Sequence, residues 1–279
     1  MFKSLWARFT VRNIDTIKEI EMTIAKEKWF TIERIDDNTS VISEYKHWEE
    51  THCYVLNGTE RCLLIDTGLG VENIWEQVQK LTDKPITVVT THVHYDHFGG
   101  HRYFPDFYVH EAEIEWINGG FPLTLEQVRN FLIEEPCDFP KDFNVNEYYL
   151  FEGVPIRVLK DKDTIELGER TIQVLHTPGH SPGHMCFFEK DKGYLYTGDL
   201  IYIGELFAYY PSTDPIAYMH SIKKLLPLPV KKILPAHHDL NVPLTIIENI
   251  DNAFTKLYES GKLKHGSGTF SYSNFGIKL

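Results

Sequence analysis

The chain has 279 residues, of which 42% are apolar and 24% charged, and a formal net charge of -12. That composition is typical of globular proteins, and the length suits one large domain or two small ones. The acidic balance disfavours a general binder of nucleic acid or of an anionic membrane, which needs a basic surface. Metal ions could still create a local positive centre inside an acidic shell.

The opening run Met1-Phe2-Lys3-Ser4-Leu5-Trp6-Ala7-Arg8 lacks the uninterrupted apolar stretch of a signal peptide. No segment approaches the ~20 apolar residues of a membrane helix. Cys53, Cys62, Cys137 and Cys186 form no C-x-x-C pair, which argues against a thiolate zinc site and suits a reducing compartment. A Cys53–Cys62 disulfide is allowed by spacing alone. The expectation is a cytoplasmic protein. Residues 1–45 match no motif, but Ile17, Ile20, Met22 and Ile24 suggest order, either as an addition at a sheet edge or as an oligomer contact, which leaves a homodimer open.

Strand-like and helix-like segments then alternate without a linker, which predicts α/β layers in a single domain. Residues 61–66 read as a buried strand closed by Thr67-Gly68. Val71, Ile74, Trp75, Val78 and Leu81 are spaced for one helix face. Residues 86–91 are β-branched and read as a strand. Residues 102–150 mix aromatics with acids and prolines, and read as an irregular or helical insertion that either caps a site or forms a surface excursion. Residues 171–175, 185–188 and 194–197 read as strands. Asp214 and Pro215 open a helix with Ile216, Met219, Ile222 and Leu226 as its buried stripe. Residues 231–234 form a last short strand, and the tail from Gly261 suggests a terminal strand pair. Four strand ends thus each deliver a histidine or an aspartate, and the C-terminal ends of strands are common places for sites in α/β sheets.

The densest of these ends is His92-Val93-His94-Tyr95-Asp96-His97, with Gly99-Gly100 following. His92 and His94 share a strand face, and a turn after His94 would redirect Asp96 and His97. One pair could grip one cation and the second pair a neighbouring one. Imidazole with carboxylate suits Zn, and also Fe or Mn. A lone histidine pair in a strand is more often a surface or core feature; three histidines and an aspartate within six residues are harder to dismiss.

This run matches the H-x-H-x-D-H signature, and the chain here resembles the metallo-β-lactamase superfamily. Leu64-Ile65-Asp66-Thr67-Gly68, Leu175 to Gly183 around His180, Thr197-Gly198-Asp199 and Ile233-Leu234-Pro235-Ala236-His237 look like the family's other stations in order, over roughly residues 50–240. Ala236 departs from the glycine usual before the last histidine. The resemblance implies a four-layer αββα sandwich of two mixed sheets flanked by helices. It implies two divalent metal ions, with Zn the first choice and Fe or Mn the alternatives. His92, His94 and His180 would hold one metal; Asp96, His97 and His237 the other; Asp199 would bridge them. A bridging water would be the nucleophile, and Asp96 could steer the proton to the leaving group. His94 argues against the flavin-linked di-iron reductases of the superfamily, which carry Glu there. The chain has no room for their flavodoxin domain, nor for the long second domain of the RNA-cleaving branch.

Other residues carry weaker expectations. Asp66 reads as tying the turn beside the metal loop. His238 is the alternative to His237. His101, His110, His176 and His184 read as structural or hydrogen-bonding, and Glu111, Glu113 and Glu115 as a solvated face. Tyr202 stands three residues after Asp199, as a tyrosine does in the lactonase branch of the family. Its hydroxyl could donate to a substrate carbonyl, or its ring could simply pack. Phe207, Tyr209 and Tyr210 suggest an aromatic pocket wall. The expected function is a binuclear hydrolase acting on a small-molecule lactone, thioester or related ester. The alternatives are a phosphodiesterase, disfavoured because no basic cluster lies between 199 and 215, and a non-catalytic metal-containing sensor.

Overall fold

The computed structural model describes residues 28–279. The apolar positions at Ile17, Ile20, Met22 and Ile24 therefore lie outside the described residues. The described residues form fifteen strands and five α-helices. The first sheet has seven strands in sequence order: β1 (Thr31–Asp36), β2 (Thr39–Ser43), β3 (His52–Asn57), β4 (Cys62–Ile65), β5 (Ile86–Val89), β6 (Phe107–His110) and β7 (Arg157–Leu159). Its first four strands are antiparallel and its last four parallel. The second sheet contains β8 (Thr164–Glu166), β9 (Thr171–His176), β10 (Met185–Glu189), β11 (Tyr194–Gly198) and β13 (Lys232–Pro235), in the order β13-β11-β10-β9-β8. β12 (Gly204–Phe207) pairs with the terminal strands β14 (Thr269–Ser271) and β15 (Phe275–Lys278) in a small third sheet. The strand pair expected in the tail thus exists, and it is extended by β12.

Alternation along the strands builds the layers. Leu63 and Ile65 of β4, Val89, Val174, Phe187, Tyr196 and Leu234 meet in the core between the two large sheets. Their strand neighbours face outward. Cys62, Leu64 and Val88 meet Ile74 and Val78, together with Val128 and Leu132 of a helix at Leu125–Leu132. Leu175, Cys186, Leu195 and Ile233 meet helices at Pro215–Leu225 and Ile246–Glu259. The result is the αββα sandwich that the resemblance implied. We number the helices α1 (Trp75–Val78), α2 (Tyr95–Phe98), α3 (Leu125–Leu132), α4 (Pro215–Leu225) and α5 (Ile246–Glu259). Tyr218 of α4 stacks on Phe254 of α5 at 4.9 Å, an aromatic pair worth about 0.5–1.5 kcal/mol beyond its area.

Three sequence expectations shift. The helix read from Val71 to Leu81 shrinks to the four residues of α1. In α4, capped as expected by the Asp214 carboxylate on the Ile216 and Ala217 amides, Leu225 is buried and Leu226 is exposed. Finally, residues 107–110 of the expected insertion form β6, paired on both sides within the first sheet. Residues 31–43 likewise form β1 and β2 of that sheet.

Buried charge ties the sheets together below the site. Arg170 makes a two-pronged ion pair with Glu189 (2.7 Å to each oxygen) and donates to the carbonyls of Asn38 and Asn57. All four cysteines are free.

Candidate metal centre

The histidine-rich run begins past the end of β5. His94 is extended and precedes α2, whose single turn carries Asp96 and His97 inward. This turn docks on the Thr67–Gly70 loop so closely that a Cβ on Gly99 would lie 2.3 Å from the Leu69 carbonyl oxygen, which is why glycine follows the metal-type residues. The loop after β9 supplies His180, the end of β11 supplies Asp199, and the residue pair after β13 supplies His237. A lone bridge between Thr51 and His237 joins the two large sheets at this edge.

The seven residues fall into two groups. His92, His94 and His180 form one; Asp96, His97, Asp199 and His237 form the other, and within each the candidate donor atoms lie within 4.8 Å of one another. His94 Nδ1 is 2.9 Å from His92 Nε2 and 3.0 Å from His180 Nε2. Asp199 faces both groups. Its Oδ1 is 3.1 Å from Nε2 of His97 and 3.1 Å from Nε2 of His237. Its Oδ2 is 3.4 Å from His180 Nε2 and 3.9 Å from His92 Nε2. Asp96 Oδ2 lies 3.0 Å from His97 Nε2 and 3.4 Å from His237 Nε2.

Electrostatics separate the groups. Burial, reinforced by neighbouring histidines, holds His92 well below its usual value and lowers His94 to about 3. His180 is lowered chiefly by burial. These three imidazoles are neutral and offer lone pairs. In the second group burial works against charge, but the carboxylates prevail. Asp96, Asp199 and Asp66 hold His97 well above its usual value, and Asp199 with Asp96 lifts His237 to about 9. Asp199, which burial alone would raise, is held well below the carboxylate range by His237, His97, His92 and His180. His97 Nε2 and Asp199 Oδ1 are buried with no hydrogen-bond partner. Three converging imidazole lone pairs, plus carboxylates balanced only by imidazole protons, fit divalent cations that would replace those protons.

The outward ring nitrogens of His97, His180 and His237 are anchored, as ligand histidines require. His97 Nδ1 meets Asp66 Oδ2 at 3.0 Å, and Asp66 also accepts the Thr91 amide and hydroxyl. His180 Nδ1 donates to the Phe207 carbonyl and His237 Nδ1 to the Glu49 carbonyl. His184, read as a hydrogen-bonding residue, accepts the Asp199 amide on Nε2 at 3.1 Å. His101 sits between the hydroxyls of Thr67 and Thr90. His238 turns away to Glu50 Oε2 at 3.2 Å, which leaves His237 as the one of the pair in the cluster.

Two expectations are corrected here. Tyr202 is buried, with its ring 5.6 Å from that of His237, but its hydroxyl donates to the Glu205 carbonyl. A phenol has one proton, so in this geometry Tyr202 is not poised to donate to a substrate oxygen. Glu113 is not on a solvated face: it is 1% exposed. Its Oε2 accepts the Val93 amide at 2.6 Å, and its Oε1 accepts the Gly183 amide at 2.8 Å and the Ser181 hydroxyl.

Sequence reading also passed over Glu49, whose carboxyl takes the Tyr95 hydroxyl at 2.8 Å and approaches His237 Nδ1 at 4.0 Å. Burial and the charge of Asp96 raise it to about 8. No local pattern marks either glutamate; only the chain's return near residues 181–183 and 237 makes them neighbours of the site. The 111–150 segment borders the first group, with Trp116 stacked 6.1 Å from the His94 ring and Phe121 at 6.4 Å. Phe207, Tyr209 and Tyr210 cluster beside the His180 anchor, with Lys278 Nζ 4.5 Å from the Tyr209 ring centroid.

Comparison with known proteins places this geometry. A model of the metallo-beta-lactamase superfamily matches residues 48–237. The acyl-coenzyme A thioesterase MBLAC2 of Bos taurus is 31% identical over 229 residues, covering 75% of this chain and 81% of the relative. Its Homo sapiens counterpart is 30% identical with the same coverage. Among solved structures, a metallo-beta-lactamase from Pontibacter korlensis superposes with a TM-score of 0.61 at 17% identity, over 81% of this chain and 99% of that one. The archaeal superfamily protein ST1585 from Sulfolobus tokodaii gives 0.57 at 21% identity, over 77% and 85%. At those identities the structures speak for the fold, whereas the family match speaks for descent: the chain belongs to the metallo-beta-lactamase superfamily and is a metallo-hydrolase of that fold.

Proposed function

We propose that this protein is a two-metal hydrolase of small-molecule thioesters. The observation that carries the two-metal part is Asp199, whose two oxygens each face a different donor group. The thioester part is supported by the relatives named as acyl-coenzyme A thioesterases.

His92, His94 and His180 would hold one cation, Asp96, His97 and His237 the other, and Asp199 both, with Zn the first choice and Fe or Mn open. Bound there, such a pair supplies Lewis acidity and lowers the pKa of water to about 7. The chain's own residues do the rest. Asp96, whose Oδ2 lies 3.4 Å from His237 Nε2 within the second donor group, would pass a proton from attacking water to the leaving thiolate. Trp116 and Phe121 beside His94 give the acyl group an apolar wall and keep bulk water from it. Lys278, resting on Tyr209, offers a cation at the rim for an anionic leaving group.

Among the described residues no helix is long and apolar enough to cross a membrane. A cytoplasmic location, a small-molecule substrate without nucleic acid, and a homodimer belong to this same proposal. The test is a panel of acyl-coenzyme A thioesters, lactones and phosphodiesters, with thiol release followed colorimetrically for the thioesters and acid release by pH-stat for all three, before and after chelation. Thioester turnover that is lost on chelation and restored by Zn supports the proposal. Faster cleavage of a lactone or phosphodiester, or turnover indifferent to chelation, overturns it.

A further inference from the structure

We infer that Glu113 is the positioning residue of the first metal group: a buried strut that sets the distance between the two loops carrying His92, His94 and His180. The inference rests on the two-metal reading above. The three histidines come from different sheets. His92 and His94 follow β5 of the first, and His180 follows β9 of the second. No covalent bond sets the distance between those loops, and the backbone bond from the Met185 amide to the Thr91 carbonyl, 2.8 Å, joins them only at their bases. Glu113 sits on a short 3-10 turn directly after β6, the strand beside β5. One carboxylate oxygen accepts the amide of Val93, the residue between His92 and His94. The other accepts the hydroxyl of Ser181, the residue after His180, and the amide of Gly183. The side chain therefore spans from one ligand loop to the other.

The packing leaves no slack. A Cβ on Gly183 would lie 2.8 Å from Glu113 Cγ, so glycine is what lets the second loop reach the carboxylate. The second metal group has separate supports: Asp66 on His97, the Glu49 carbonyl on His237, and His184 on the Asp199 amide. Loosening Glu113 should therefore act on one group and spare the other. A carboxylate suits this post because all three of its partners are donors. An amide in its place could serve Ser181 and Gly183 with its oxygen, but would set an N–H against the Val93 N–H.

The experiment uses the full-length protein, stripped of metal and titrated with cobalt(II), the d–d absorption of each group being assigned with His180→Ala and His237→Ala. In Glu113→Gln, cobalt affinity of the first group should fall by roughly 10–100-fold, while that of the second stays within about threefold and circular dichroism is unchanged. Equal affinities in Glu113→Gln and the unsubstituted protein overturn the inference. So does equal weakening of both groups accompanied by a lower Tm, which would make Glu113 a general structural residue. If Glu113→Gln does not fold, Ser181→Ala removes one of the three hydrogen bonds and should weaken the first group alone; no change there overturns the inference. An unsubstituted protein that binds no cobalt refutes the underlying two-metal reading instead, a separate and recognisable result.

Discussion

Replacing Asp66 by Asn isolates one interaction at the centre. Asp66 is buried and accepts three hydrogen bonds: the Thr91 amide at 2.7 Å, the Thr91 hydroxyl at 2.8 Å and His97 Nδ1 at 3.0 Å. Its φ is +61°, a left-handed conformation that Asn tolerates, so the backbone need not move. The amide oxygen can keep the Thr91 amide, and the amide nitrogen can donate to the Thr91 hydroxyl. What is lost is the acceptor for His97 Nδ1. The ring proton is then no longer held on the outward nitrogen, and Nε2, which faces Asp96 and Asp199, loses its claim to a free lone pair.

A hydrogen bond to a charged group is worth about 1.5–3 kcal/mol, and each ~1.4 kcal/mol is tenfold in affinity. Zinc affinity of the second group should therefore drop by about 10–150-fold. Stability of the metal-free protein should change little, because a neutral amide also escapes the burial that raises the Asp66 carboxyl. Competition against a chromophoric chelator, with thermal melts of both forms, measures the two quantities. Zinc affinity in Asp66→Asn within twofold of the unsubstituted protein would refute the assignment of Asp66 as the anchor that orients His97.

Three further outcomes follow from the same geometry. Asp199→Ala removes the carboxylate facing both groups, so both metals and nearly all hydrolysis should be lost; two metals by elemental analysis with full activity would contradict this. Tyr202→Phe deletes the bond to the Glu205 carbonyl and should cost about 0.5–1.5 kcal/mol of stability while leaving metal content and kcat unchanged; a tenfold fall in kcat with metals retained would return Tyr202 to a donor role. Glu44, which takes the Trp29 indole and Leu69 amide hydrogens, is raised from 4.5 to about 7, chiefly by burial. The folded protein then keeps a proton that the unfolded chain has released, so this contribution to stability is full below about pH 4.5 and is lost as pH rises to about 7. Glu44→Gln removes that dependence. Urea melts across the window should show the variant gaining on the parent as pH rises, and a pH-independent difference would count against it.

What local sequence determines here is whatever depends on spacing along one strand or turn. His92 and His94 lie two apart past a β-branched strand, Asp96 and His97 fall on the turn after it, and Asp214 with Pro215 starts α4; each is a short-range consequence of backbone geometry. The unbroken apolar run Cys62–Ile65 likewise foretells a strand buried on both faces. Periodicity is less decisive where packing arbitrates. The helical pattern from Val71 to Leu81 yields only α1, Leu225 rather than Leu226 meets the core, and Phe107–His110 becomes a strand because β5 and β7 offer it ladders on both sides.

The histidine–aspartate run carried its own chemistry in its residue types, and His180, Asp199 and His237 could be joined to it by resemblance. Only the folded chain divides Asp199 between two donor groups, turns His238 out to Glu50, directs the Tyr202 hydroxyl to a backbone carbonyl, and seats Glu113 between loops that are 88 residues apart at Val93 and Ser181 (181 minus 93). The physical reason is the same in each case. A ligand's identity is a property of its side chain, but its orientation depends on hydrogen bonds and burial supplied by partners distant in sequence, and no local pattern encodes those partners.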